Sequence, residues 1–169
     1  MSLHDVFLVP ADPQLSPDAA TGARLRDRLA HEPLAARLLH HDHVQFFDCG
    51  EGFESVACPR CHAEIALEWW GETMDRDHDG AGFALAPHAT PCCGHGAALN
   101  HLVYRMKQGF GRFAITYPDP GGQPDPHLLA DLAGILGCRL IVVHRHRSSP
   151  CCSILARSCF IARCWATRT

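Results

Sequence analysis

The stretches Cys58-Pro59-Arg60-Cys61 and Thr90-Pro91-Cys92-Cys93-Gly94-His95 decide how the middle of this 169-residue chain folds. Thirty residues, 62–91, lie between the two cysteine pairs. A Cys-x-x-Cys turn directs two sulfurs to one point, and a second pair at this spacing can complete the tetrahedral coordination of one Zn²⁺ ion. The sequence therefore predicts a zinc site with the ligands Cys58, Cys61, Cys92 and Cys93.

The fourth ligand of this predicted site has a competitor. Thr90 stands where a second Cys-x-x-Cys turn would have its first cysteine, so Cys92 is the natural substitute and His95 the rival donor. His62 is also near, although a residue directly after such a turn usually points away from the metal. Four donors leave no open coordination position, so we expect structural zinc and no catalytic water. The alternative interpretation is a set of buried free cysteines or a redox pair, and Cys49 and Cys138 are expected to be ordinary core or turn residues.

The composition predicts a cytoplasmic globular protein. Apolar residues make up 47% of the chain, but no run reaches the roughly 18 residues that a membrane-spanning helix needs. The first residues, Met1 to Asp5, lack the basic and apolar regions of a signal peptide. In a reducing compartment a Cys-x-x-Cys pair indicates metal or redox chemistry more often than a structural disulfide.

The charge distribution disfavours a nucleic-acid partner. The net charge is −3, but residues 148–169 carry three arginines and no acid, so residues 1–147 carry 12 basic and 18 acidic side chains, a net −6. Phosphate binding needs a basic field, which an acidic body does not supply. The segment 148–169 also holds Cys151, Cys152, Cys159 and Cys164, and we expect it to be an atypical tail outside the core, even a shifted reading frame.

Two strand–helix–strand units flank the cysteine pairs. In the first, strands are predicted at 6–9, 44–47 and 53–57, and a helix begins with Ser16 as N-cap and Pro17 at the first helical position. An apolar face continues to Leu38, and Pro33 either ends this helix or starts a second short one. In the second, a half-buried strand at 110–117 precedes a helix that Gly137 ends and a buried strand at 140–143. A short helix is predicted at 68–77.

This order of elements predicts an α+β fold. The concrete version is a ferredoxin-like sandwich, β-α-β … β-α-β, with the helices on one face of the sheet. Residues 1–147 would form one domain, and residues 53–105 would be a zinc-ribbon-like insert within it.

Further polar residues occur in groups that bind metals in other settings. They are His40, His41 and His43 near Asp42; His144 and His146; and Asp75, Asp77 and Asp79 before Gly80. The aspartates match the first half of a calcium loop, but Ala86 stands where its closing glutamate belongs. We interpret the histidines as solvated residues at a loop and strand edge, and the aspartates as solvated acids at a helix end.

Several motifs together resemble a group of uncharacterised bacterial zinc-ribbon-like proteins over residues 6–146. They are Phe7-Leu8-Val9-Pro10-Ala11-Asp12-Pro13, Phe47-Asp48-Cys49-Gly50, Phe53-Glu54, Cys58-Pro59-Arg60-Cys61, Trp69-Trp70, Thr90-Pro91-Cys92-Cys93-Gly94, Leu99-Asn100, Gly109-Phe110 and Leu136-Gly137-Cys138. The resemblance implies a bacterial cytosolic protein and favours Cys92 over His95 as a ligand. It implies no activity and no catalytic residues.

Three functions follow from these patterns. The first is a non-enzymatic module, stabilised by zinc, that binds another macromolecule, most plausibly a protein. The second is an enzyme, of hydrolase or other type, whose pocket lies between sheet and ribbon and uses His41, His43 or the acids at 75–79. The third is a nucleic-acid-binding ribbon, which the acidic body disfavours.

Overall fold

A computed structural model describes residues 3–119 and 121–147. The predicted tail at 148–169 lies outside the described residues. The elements are β1 (Leu3–Pro10), α1 (Ala19–Leu29), β2 (Arg37–Phe47), β3 (Val56–Ala57), β4 (Glu64–Ile65), α2 (Leu67–Asp77), β5 (His88–Ala89), β6 (Gly96–Ala97), a 3₁₀ helix (Leu99–His101), β7 (Val103–Tyr104), β8 (Gly109–Pro118), α3 (Pro126–Leu136) and β9 (Leu140–Arg147). The fold is of the mixed α+β class that the sequence predicts.

The main sheet has four strands in the order β2-β8-β1-β9, and every neighbouring pair is antiparallel. Each of the two long connections, through α1 and through α3, passes over one intervening strand. Both helices pack on the same face of the sheet, where Leu25 and Leu132 meet Leu8 and Phe113, and all four side chains are buried. This apolar cluster fixes the helical layer on the sheet because each strand presents every second side chain to it.

The strand β8 is buried more completely than its alternating pattern predicts. Phe113 and Ile115 face the helices, while Ala114 belongs to a second buried cluster with Phe7 and Val143. The prediction of a half-buried strand at 110–117 was therefore wrong, because both faces of β8 are largely buried. A central strand covered on both faces needs small or apolar residues at every position, and Ala114 and Thr116 satisfy that on the second face.

The first helix begins two residues later than predicted. Asp18, not Ser16, is the N-cap, and its Oδ1 accepts a hydrogen bond of 2.7 Å from the Thr21 amide. Both residues are good caps, and the carboxylate gains more because it faces the positive end of the helix dipole.

The strand β2 is longer than predicted, and β3 is shorter. β2 starts at Arg37, so Leu38 lies in a strand and not on a continued helical face. A bulge between His40 and Gln45 interrupts its pairing with β8, as often happens on an edge strand. Of the strand predicted at 53–57 only Val56–Ala57 forms, and it pairs with β4 and β7.

The segment between β2 and β8 builds a third apolar cluster. Its small sheets have the orders β4-β3-β7 and β5-β6. Trp70 and Met74 of α2 are buried in this cluster together with Val44 of β2 and Phe110 of β8. The Trp70 ring also stacks on Phe53 with 4.8 Å between ring centroids. The cysteine-bearing segment is therefore fixed to the end of the main sheet by shared packing.

Within residues 3–119 and 121–147, no helix combines the length and the apolar character that crossing a bilayer requires.

Candidate metal centre

The first cysteine turn lies between β3 and β4. The Cys58 amide donates to the Ala63 carbonyl at 2.9 Å, and the His62 amide donates to the Cys58 carbonyl at 3.1 Å. His62 has a φ of 59°, a left-handed conformation that closes the turn. Cys58 is buried, whereas Cys61 is exposed.

The second cysteine turn lies between β5 and β6 and repeats the first at an offset of 32 residues. The Thr90 amide donates to the His95 carbonyl at 2.9 Å, and the Gly94 amide donates to the Thr90 carbonyl at 2.8 Å. Gly94, with a φ of 69°, takes the place of His62. The strand pairing repeats at the same offset, because the Val56–Ile65 pair corresponds to the His88–Ala97 pair.

This correspondence is visible in the sequence. At the same offset the chain repeats Ala57 as Ala89, Pro59 as Pro91, Cys61 as Cys93, Ala66 as Ala98, and Leu67 as Leu99. Thr90 then corresponds to Cys58, and Cys92 corresponds to Arg60. The repeat extends beyond the turns, since α2 begins at the first leucine and the 3₁₀ helix at the second.

The two turns bring four sulfurs together. The Sγ atoms of Cys58, Cys61, Cys92 and Cys93 all lie within 4.8 Å of one another. The Cys58–Cys93 distance is 3.7 Å and the Cys61–Cys92 distance is 3.3 Å. A tetrahedron with metal–sulfur bonds of about 2.3 Å has sulfur–sulfur edges of about 3.8 Å. The cluster therefore has the size and the donor number of a four-coordinate metal site.

Backbone amides of the first turn favour the ionised form of one sulfur. The Cys61 amide, followed by the Arg60 amide, donates to Cys58 Sγ and lowers the pKa of Cys58 to about 5, although burial opposes the shift. The Ala63 amide lowers the pKa of Cys61, but the contact with Cys92, burial and the other neighbouring sulfurs outweigh it and raise that pKa to about 12. One low and one high value are expected where neighbouring thiols share a proton.

The second turn also favours a thiolate. The Thr90 hydroxyl, and then the His95 amide, lower the pKa of Cys93. Thr90 Oγ1 lies 3.6 Å from Cys93 Sγ and 3.6 Å from Cys58 Sγ, so the buried threonine stands directly beside the sulfur cluster. Cys92 lies in the cluster. Within the described residues, the candidate ligand group contains neither His95 nor His62.

A buried carboxylate behind the second turn was missed by the sequence analysis. Asp77, at the end of α2, accepts hydrogen bonds from the Leu85 amide at 2.8 Å and the Ala86 amide at 2.9 Å. His88 Nε2 lies 3.0 Å from the same carboxylate, which is fully buried. Asp77 was predicted to be a solvated acid, and this was wrong, because it anchors the loop that leads into β5. An acid at a helix end gives no sequence signal for such a role.

The two other aspartates, Asp75 and Asp79, which were predicted to be solvated acids at a helix end, do not converge with Asp77. Asp75 is exposed on α2. Asp79 accepts from the Ala81 and Gly82 amides, and these hydrogen bonds lower the pKa of Asp79. The three aspartates therefore serve separate places in the insert.

The histidines of the sequence groups are also dispersed. His41 lies in the bulge of β2, with its ring centroid 6.1 Å from that of Phe47, and His43 is exposed there. His144 Nδ1 lies 3.2 Å from Asp119, and His146 Nδ1 lies 2.7 Å from Nδ1 of His4. Within the described part of the chain, only the four cysteines form a group of three or more candidate metal donors.

No protein-family model, curated protein or solved structure matches the chain. The chemistry of the site therefore follows from its own geometry.

Proposed function

We propose that the four cysteines bind one structural Zn²⁺ ion. The single observation that carries this proposal is the convergence of four Sγ atoms within 4.8 Å. An all-sulfur tetrahedral set suits Zn²⁺ or iron, and the four donors fill the coordination sphere. The ion would join two turns that belong to different small sheets, so its binding free energy would contribute directly to folding of the insert.

Metal analysis tests this proposal. Native mass spectrometry of the purified chain should find one zinc per protein, and Cys58→Ser should remove it, while Cys138→Ser, at a half-buried cysteine outside the cluster, should not. A protein with no metal, or with iron and the visible absorption of an iron–thiolate centre, would contradict structural zinc.

Chelation tests the structural role. Zinc release and circular dichroism should be followed together while a chelator is added. We expect the segment 58–95 to unfold and much of the main sheet with α1 and α3 to persist. The two clusters that contain the helix–sheet contacts and Ala114 include no residue of that segment, although Val44 and Phe110 of the sheet also pack against it. Release of zinc with no change in circular dichroism would contradict this.

We assign the main sheet to the ferredoxin-like topology and the segment 53–105 to a zinc-ribbon-like insert. The strand order β2-β8-β1-β9, with its antiparallel neighbours and two helical crossovers on one face, supports the first assignment. The two related cysteine turns support the second. The two turns also support the proposed relation to the bacterial zinc-ribbon-like proteins, because each turn contains one of the cysteine motifs on which that resemblance rests.

We further propose that the protein acts by binding another protein. The outer edge of β7 supports this, since the order β4-β3-β7 leaves it as an edge strand and Val103 on it is 45% exposed. Edge strands can accept a strand from a partner, and an exposed apolar side chain adds contact area.

The cluster of reduced thiols suits a cytoplasmic location.

A pair of charge-introducing variants tests the interaction. Val103→Glu should abolish retention of the partner in affinity purification from cells that express the chain. Ala130→Glu places the same charge at an exposed position on α3 and should leave retention unchanged. A partner held equally by both variants would exclude the β7 edge, and the absence of any specific partner would count against the binding function.

A further inference from the structure

Two histidine rings meet across the end of the main sheet, far along the chain from each other. His4 of β1 and His146 of β9 are directly opposite in the antiparallel register. Their Nδ1 atoms lie 2.7 Å apart, and the ring centroids are 4.8 Å apart with 69° between the ring planes. Two ring nitrogens at this distance repel each other through their lone pairs unless a proton or a cation lies between them.

The surroundings of this histidine pair carry a negative charge. His144 shares one face of β9 with His146, because the two residues are two positions apart in a strand. His144 Nδ1 lies 3.2 Å from Oδ2 of Asp119, whose amide donates to the His4 carbonyl at 2.9 Å. Burial opposes the ionisation of Asp119, but the Gly121 amide, His144 and the charge of His146 together lower the pKa of Asp119. An ionised carboxylate therefore stands on the same face of the sheet as the two rings.

The distance between the two nitrogens indicates which ions fit. Metal–nitrogen bonds to histidine are about 2.0–2.1 Å, so two nitrogens bound at a right angle lie about 2.9 Å apart and two bound at the tetrahedral angle about 3.3 Å apart. The distance of 2.7 Å is nearer to the right-angled arrangement. Right angles between ligands are typical of the tetragonal sites that Cu²⁺ and Ni²⁺ form with nitrogen and oxygen donors, whereas Zn²⁺ favours a tetrahedron.

We propose that His4 and His146 chelate a divalent transition-metal ion of the Ni²⁺ or Cu²⁺ type through their Nδ1 atoms. His4 is exposed and His146 is half-buried, so water can reach the ion and complete its coordination sphere. The Asp119 carboxylate offsets part of the added positive charge. The site is separate from the four cysteines, whose soft sulfur donors select other ions, and it does not depend on structural zinc.

Nickel titration of the untagged full chain, as purified, tests the proposal. Isothermal titration calorimetry with Ni²⁺ should show a saturable site, and native mass spectrometry should find one nickel in addition to any metal already bound. In NMR spectra of the unaltered chain, paramagnetic Ni²⁺ should broaden the signals around His4 and His146 first. The absence of broadening at these two histidines overturns the proposal, whether or not the cysteines hold an ion.

Variants then identify the two ligands. His4→Gln and His146→Gln should each weaken nickel binding by roughly ten-fold or more, since even the loss of a residue that only supports a ligand costs that much. His127→Gln, at an exposed position on α3, should leave nickel binding unchanged. If His4→Gln alone weakens binding, the ion is held by His4 with other donors and the proposal is overturned. It is equally overturned if all three variants behave alike. The NMR result on the unaltered chain stands even where a variant fails to fold.

Discussion

Replacing Asp77 by asparagine removes a buried negative charge while keeping the shape of the side chain. The carboxylate is fully buried, and it accepts from the Leu85 amide through Oδ2 and from the Ala86 amide and His88 through Oδ1. An asparagine retains one acceptor oxygen, so its NH₂ group must face one of the donors. A hydrogen bond to a charged acceptor contributes about 1.5–3 kcal/mol, and a buried donor left without an acceptor costs about 1–3 kcal/mol more. We therefore expect Asp77→Asn to lower the free energy of unfolding by about 3–5 kcal/mol.

The matched control for this substitution is Asp75→Asn on the same helix. Asp75 is exposed, and a surface change of this kind stays within about 0.5 kcal/mol. Urea unfolding of both variants and of the unaltered chain measures the difference, with zinc content determined in parallel. For a protein of this size the expected loss corresponds to a fall in Tm of about 6–20 °C. If Asp77→Asn and Asp75→Asn unfold within 0.5 kcal/mol of each other, the carboxylate does not anchor the loop and the reasoning fails.

Three further predictions concern the insert and the proposed zinc ion. Cys92→Ser should lose zinc affinity, and adding Thr90→Cys should restore one zinc per chain, as native mass spectrometry would show, because Thr90 Oγ1 lies 3.6 Å from two of the sulfurs. Gly82→Ala should destabilise the protein by about 1–3 kcal/mol in urea unfolding, since a Cβ there would lie 2.6 and 2.7 Å from atoms of β2. The control is Gly71→Ala on α2, where a Cβ meets open space, and this variant should be neutral or stabilising. Zinc binding at pH 7.5 should release fewer than four protons, because the pKa of Cys58 is lowered to about 5 and that thiol is already ionised. The number of protons released should rise as the pH falls towards 5. Calorimetry in buffers of different ionisation enthalpy counts the protons.

The elements that the sequence predicts well are those with strong local signals. The helix α3 has leucines at helical spacing and ends at Gly137, whose φ of 70° only glycine adopts easily. The start of β2 had no such signal, because the apolar residues between Leu34 and Leu38 fit a helical face as well as a strand. The pairing of β3 with β4 is a local hairpin closed by the turn at Cys58, and its two-residue strands are too short for periodicity to report.

At the site, the sequence predicts the four candidate metal donors but not the buried polar residues around them. Two cysteine pairs at this spacing indicate a metal site, because they can place four sulfurs around one ion. The burial of Asp77 depends on the 85–88 loop, whose Leu85 and Ala86 amides donate to its carboxylate. Polar residues of these types are usually solvated, and only the packing of the insert distinguishes them.

The 32-residue repeat explains why the second turn has adjacent cysteines. Both turns have the same pattern of backbone hydrogen bonds, so the first and fourth positions of each are equivalent, and a symmetric site would use all four. Thr90 at the first position of the second turn offers a hydroxyl, which is a poorer ligand than a thiolate for a soft site. Cys92 supplies the missing sulfur from the third position, where the first turn has the exposed Arg60. Cys92 therefore lies on the exposed side of the cluster with Cys61 and Cys93, while Cys58, at the first position of the first turn, is the buried member of the four.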